Sequence, residues 1–265
     1  MLVLVLLAHL SLSGAMQSGV FGGKEAKPHS RPYMASLQVG QEKAHVCGGV
    51  LIREDFVLTA AHCLKLKPDV VVLGAHDISK AEKSQQRVGV SKSIPHPKYP
   101  TEPVPDGDPR LHQHDIMLLK LKTKAKLGKA VKVMSLPKKD GLVPAGVKCW
   151  VAGWGMKAPH SNGEKVLREV QVRVEAQQQC EYYWQKYYDS THMMCTSTNN
   201  GQTGFCQGDS GGPLVCNTKI QGTVAFTHPD CNQGTYPQVS TRISAFLPWI
   251  KEIMGKKDEE NEWTL

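Results

Sequence analysis

Gly208-Asp209-Ser210-Gly211-Gly212-Pro213 sets one serine among glycines on both sides. Glycine at this density marks a bent, closely approached backbone and leaves the hydroxyl exposed. A hydroxyl is a poor nucleophile at its own pKa and needs a base. Thr59-Ala60-Ala61-His62-Cys63 supplies a histidine upstream, and Asp115-Ile116-Met117-Leu118-Leu119 places an aspartate between the two. Each stretch alone has a plainer reading: a glycine-rich surface turn, a structural histidine, an aspartate opening a strand. Together, His, Asp and Ser in this order suit a base, an orienting acid and a nucleophile.

At 265 residues the chain can form one large β domain or two smaller ones, each with its own core. Tyr33, Ala35, Leu37 and Val39 alternate with Met34, Ser36 and Gln38, the period of a strand. Residues 47–52, 56–59, 69–74, 86–94 and 169–174 read as further short strands, which favours antiparallel barrels over a βαβ fold. Six prolines on or around residues 96–114 exclude a central strand and predict a loop. A helix is predicted over 177–188, with its aromatic cluster packed on the body. The amphipathic stretch 244–254 predicts a second, Pro248 being tolerable only in its first turn.

Residues 1–15 carry the apolar run Leu2 to Ala8 followed by small residues, as in a secretory signal, and no other run reaches the roughly 18 residues of a membrane span. Eight cysteines in a secreted chain read as disulfides, with about 105 pairings open. No Cys-x-x-Cys occurs, which argues against structural zinc, and neither metal nor cofactor is expected. The net charge is +8, with lysines crowding 119–139. That is either a solvated basic face or a site for a polyanion; nucleic acid lies outside a secretory route.

From Val20 to about Lys256 the chain resembles the trypsin/chymotrypsin-fold serine peptidases, and more narrowly their granzyme and mast-cell protease branch. The likeness rests on the three motifs above, on Val20-Phe21-Gly22-Gly23, on the entry 25–35 and on the cysteines. It implies an all-β fold: two antiparallel six-stranded barrels with the active site between them, and a C-terminal helix. With residues 1–15 read as a signal peptide, it implies a short propeptide over 16–19, or only Ser18-Gly19, and a peptidase domain over 20–265. It also pairs Cys47 with Cys63, Cys149 with Cys216, Cys180 with Cys195, and Cys206 with Cys231.

The resemblance assigns His62, Asp115 and Ser210 as catalytic triad and the Gly208 and Ser210 N–H groups as oxyanion hole. It pairs the freed Val20 amine with Asp209. Gly19 is not basic, so trypsin has no handle; an activating peptidase of the dipeptidyl type fits better. The primary pocket falls on Gly204, Phe226, Thr227 and Gln238. Gly204 offers no carboxylate for Lys or Arg, and Thr227 and Gln238 replace glycines, so the pocket should be narrowed and uncharged. An amide pairing of substrate Gln or Asn with Gln238 is a further option. Partners are protein or peptide substrates and, through lysines 120–139, a heparin-like sulfated proteoglycan. The chain should be secreted, or stored in secretory or cytotoxic granules. Phe21, Ala225 (where relatives have a serine bonding the catalytic aspartate) and His114 depart from the pattern. A competing class is a weak or inactive peptidase fold kept for binding or antimicrobial work; a fluorophosphonate probe separates the two.

Overall fold

The computed structural model describes residues 20–105, 107–137 and 141–255. The expected signal peptide, propeptide and acidic tail lie outside these residues, as do Asp106, Lys138 and Lys139. The strands are β1 (Lys24–Glu25), β2 (Met34–Val39), β3 (Ala44–Arg53), β4 (Phe56–Thr59), β5 (Val70–Leu73), β6 (Gln86–Pro95), β7 (Met117–Leu121), β8 (Lys148–Gly153), β9 (Arg168–Val174), β10 (Met193–Ser197), β11 (Pro213–Cys216), β12 (Lys219–Phe226) and β13 (Gln238–Arg242). Two helices join them, α1 (Gln177–Trp184) and α2 (Leu247–Gly255).

All pairings are antiparallel. The first barrel runs β2-β3-β4-β7-β6-β5 and closes where Ala35 to Gln38 pair with Leu73 to Val70. The second runs β8-β9-β10-β13-β12-β11 and closes where Leu214 to Cys216 pair with Val151 to Cys149, with β1 added outside β9. This is the expected pair of six-stranded barrels.

Period-two alternation decides where each side chain goes. In β4, Val57 faces the interior of the first barrel with Leu37, Leu51 and Val71. Its neighbours Phe56 and Leu58 face the other way, into a shared core with Trp154, Leu167 and Val215 of the second barrel. In the β7 segment, Met117 and Leu119 go inward while Ile116 and Leu118 go to the shared core. Both faces of these strands are therefore buried. Each fully buried Leu or Phe contributes about 1.5–3 kcal/mol, which seals the barrels together beside the segments carrying His62 and Asp115. Phe246, at the end of the turn before α2, and Leu247 and Ile250 of α2 cap the same core.

The four disulfides are Cys47–Cys63, Cys149–Cys216, Cys180–Cys195 and Cys206–Cys231, as the resemblance implied. Two helices differ in extent from the sequence reading. The first ends at Trp184 and passes through a 3₁₀ turn, because Gln185 has φ +48°. The second is preceded by a 3₁₀ turn at Ile243–Phe246; Pro248 has no N–H for a bond back to Ser244, so α-helical pairing begins later. Of the aromatic cluster, Trp184 and Tyr188 pack on the second barrel, but Tyr182 is 72% exposed.

Candidate active site

His62 stands on a 3₁₀ turn, Ala61–Leu66, that starts as β4 ends. Asp115 lies just before β7 and is 2% exposed. Its two carboxylate oxygens hold the histidine twice: Oδ1 accepts from the His62 backbone N–H at 2.8 Å, and Oδ2 lies 2.7 Å from Nδ1. This sets Nδ1 as the protonated nitrogen and leaves Nε2 free to accept a proton. Burial disfavours the charged ring, but the Asp115 charge and hydrogen bond outweigh it, so the His62 pKa lies above the ordinary histidine value. Ala225 is buried and has no hydroxyl to offer Asp115. Asp115 instead takes the backbone donor just described, and its own carbonyl accepts from the buried Thr241 hydroxyl at 2.8 Å.

His114 has φ +54°, and its carbonyl accepts from the Ile116 N–H at 2.8 Å, a tight turn around Asp115. Its ring stacks on His96 at 5.1 Å. The proline-rich loop reaches the second barrel through His112, whose ring is 4.4 Å from Phe226 and 5.5 Å from Tyr187. The segment is a loop, as its prolines predicted, and these contacts carry it across the seam between the barrels.

The Ser210 turn is braced from both barrels. The Ser210 carbonyl accepts from Gly48 of β3 at 2.8 Å, and the Gly211 N–H donates to Val224 of β12 at 2.8 Å. Gly211 has φ +76°, and a Cβ there would stand 2.0 Å from Thr59 Oγ1 and 2.8 Å from Ala60 N. Only glycine lets the serine turn sit this close to the segment leading into His62. Gly208 is likewise left-handed, at φ +93°. The structure thus brings His62 and Asp115 into direct contact and seats Ser210 against the same segment.

Asp209 is fully buried. Its carboxylate accepts from Gly155 N–H at 2.8 Å and Cys206 N–H at 3.0 Å. Burial nonetheless raises its pKa to about 7. Val20, also fully buried, is still joined to Gly19 in this chain and has no free amine.

A residue that sequence reasoning missed is His45. Its Nε2 donates to the Gly208 carbonyl at 2.9 Å, and its Nδ1 accepts from Ser36 Oγ at 2.8 Å. Gln38 and Arg87 extend the chain of bonds behind Ser36. Burial takes the His45 pKa down to about 4, so the ring is neutral and donates one proton to the serine turn. No local motif marks it, because its partner is 163 residues away.

The pocket residues form two groups. Gln238, fully buried, hydrogen-bonds through Oε1 to Phe205 N–H at 2.8 Å and through Nε2 to Phe205 O at 2.7 Å, with Thr227 Oγ1 and Cys231 O each at 3.2 Å. Its Oε1 lies against Gly204. Phe226 packs on Trp184 at 5.0 Å and His112, on the cleft side. The ligand atoms of Cys47, Cys63 and His62 lie within 4.8 Å of one another, but both sulfurs are joined in a disulfide and offer no thiolate to a metal. Among the described residues no helix is long and apolar enough to cross a membrane.

A model of the trypsin family matches residues 20–250. Granzyme B(G,H) of Mus musculus is 44% identical over 256 residues, covering 96% of this chain and 99% of that protein. Granzyme B of Homo sapiens is 44% identical over 255 residues, covering 96% and 98%. Cathepsin G of Mus musculus is 42% identical over 255 residues, covering 96% and 92%. Among solved structures, that of GrC is 41% identical with a TM-score of 0.78, covering 89% of this chain and 99% of that one. By the extent of these matches the chain belongs to the trypsin family, as a granzyme-like serine endopeptidase of the chymotrypsin type.

Proposed function

We propose that the protein is a granule-stored or secreted endopeptidase, released from a short propeptide, that cleaves peptide bonds through an acyl-enzyme on Ser210. The observation that carries this reading is the double hold of Asp115 on His62, beside a serine turn braced from both barrels. Ser210 Oγ attacks the substrate carbonyl while His62 Nε2 takes its proton. The Gly208 and Ser210 N–H groups stabilise the resulting oxyanion, each such donor being worth roughly 10²–10³ in turnover. The C–N bond then breaks, and His62 returns the proton to the leaving amine. Water, activated by the same imidazole, attacks the acyl-enzyme and frees Ser210. Asp115 keeps the imidazole tautomer and offsets its transient charge.

Freeing the Val20 amine supplies a cation to Asp209, whose buried carboxylate otherwise lacks one among the described ion pairs. An uncharged pocket built on Gly204, Thr227 and Gln238 disfavours cleavage after Lys or Arg, since that cation would be buried without a partner. The Gln238 amide hydrogens are spent on Phe205, Thr227 and Cys231, so they leave nothing for a substrate amide. Exposed Lys122, Lys124, Lys126, Lys129 and Lys132 support binding to a sulfated proteoglycan. Lys120 contributes less than its place in the sequence suggested, since it pairs with Asp55 at 2.8 Å in a half-buried site.

A randomised peptide library cleaved by enzyme beginning at Val20 tests the pocket. Cleavage after short or medium apolar residues is expected. Dominant cleavage after Arg or Lys would overturn the assignment.

A further inference from the structure

The second residue of the mature chain does more than follow the new N-terminus. Gly204 is the floor of the primary pocket in the reading above, on which this inference rests. Its N–H donates to the Phe21 carbonyl at 3.1 Å, so the segment 20–23 is docked on the pocket-floor loop. The Phe21 side chain is 3% exposed and packs with Cys206, Cys231 and Met156, beside the disulfide that ties the two sides of the pocket. A Cβ built on Gly204 would lie 2.6 Å from Phe21 Cζ, 2.2 Å from Gln238 Oε1 and 2.7 Å from Gln238 Cδ. The direction in which any side chain at position 204 would point is therefore already filled from two sides, by an aromatic ring and by a carboxamide.

Neither filler is free to withdraw. Gln238 is pinned by its bonds to the Phe205 main chain. Phe21 is held by its own carbonyl and by the sulfurs around its ring. The β-branched residue that the family resemblance leads one to expect at position 21 is shorter than Phe by several carbons and would leave the floor lower.

We propose that Phe21 is a specificity-determining residue: its ring and the Gln238 carboxamide together raise the floor of the primary pocket, so that only short apolar side chains such as Ala and Val fit. Leu and Met are admitted poorly, and Phe is excluded. A carboxylate at position 204 would collide with both fillers, so Gly204→Asp alone does not make this enzyme tryptic.

The test uses enzyme cleaved before Val20, its N-terminus confirmed by sequencing, and peptides that differ only at the residue before the scissile bond: Ala, Val, Leu, Met or Phe. The wild type should show kcat/KM falling steeply from Ala and Val to Leu and Met. Phe21→Val should raise kcat/KM for Leu and Met relative to Ala by about 10-fold or more, since one methylene in an apolar pocket is worth roughly 10–200-fold. The rate of labelling by a fluorophosphonate should stay the same, because the serine is untouched. An unchanged profile with labelling intact overturns the proposal, as does a wild type that prefers Phe. Should Phe21→Val fail to label, Phe21→Leu, which keeps an apolar side chain there, decides by the same profile. Loss of labelling in both variants also overturns it, since Phe21 would then act on the serine rather than on pocket depth. A wild type that does not label refutes the peptidase reading itself, which keeps the two failures distinct.

Discussion

The His62 ring is set by Asp115 in position, tautomer and charge. Its raised pKa has a direct consequence, because the ring serves as base only when neutral. Hydrolysis should therefore fall as pH drops through a value above the ordinary histidine range, and a pH profile of kcat/KM on a neutral peptide measures it. His45, already down to about 4, stays neutral throughout and adds no second step in this window. A profile flat down to pH 5 would contradict the role of His62. Asp115→Asn should slow turnover by about 10⁴-fold, as loss of the orienting acid does in such triads. Of these residues, His62 and Ser210 were legible because small residues and glycines crowd around them, and Asp115 because it opens an apolar run between the two. His45 was not, since its role exists only once β3 is brought against the serine turn.

At the level of elements, the N-terminal segment and the Asp209 turn belong together. In the unprocessed chain, burial raises the Asp209 pKa to about 7, against about 3.9 for an unfolded aspartate. The folded state then binds a proton that the unfolded state does not between these values, so stability falls as pH rises from about 4 through about 7. The penalty is on the order of a few kcal/mol above that range. In the proposed activation a docked Val20 ammonium would relieve it. Processing should therefore raise Tm at pH 7.5, with the gain shrinking towards pH 4; calorimetry on both forms measures it, and equal Tm values at pH 7.5 would contradict the ion pair. The strands were mostly legible because alternation marks those with one exposed face and short apolar runs between polar turns mark those buried on both: Phe56–Thr59, of the second kind, was read to the residue. The two-residue β1 carries no periodicity to read. The helix ends were misread because a left-handed Gln185 and the missing Pro248 N–H act on single backbone bonds, which side-chain patterns do not report.

For the molecule as a whole, two sealed barrels leave the seam to the candidate site and the outer faces to the proposed polyanionic partner. The exposed lysines of 122–132 follow β7 on the outside of the first barrel. Their attraction to a sulfated chain is screened by salt. Lys122→Gln, Lys126→Gln and Lys129→Gln together should lower the salt needed to elute the protein from heparin, whereas Lys120→Gln, removing a residue paired with Asp55, should change it little. Unchanged elution of the triple variant would count against this face. The measurement that bears most directly on the peptidase itself is fluorophosphonate labelling of enzyme beginning at Val20, beside its unprocessed form and the variants Ser210→Ala and His62→Ala. Rapid labelling at Ser210, abolished in Ser210→Ala, slowed by orders of magnitude in His62→Ala and weak in the unprocessed chain, is the predicted result. Absence of labelling in the processed wild type, or labelling that survives Ser210→Ala, would contradict it.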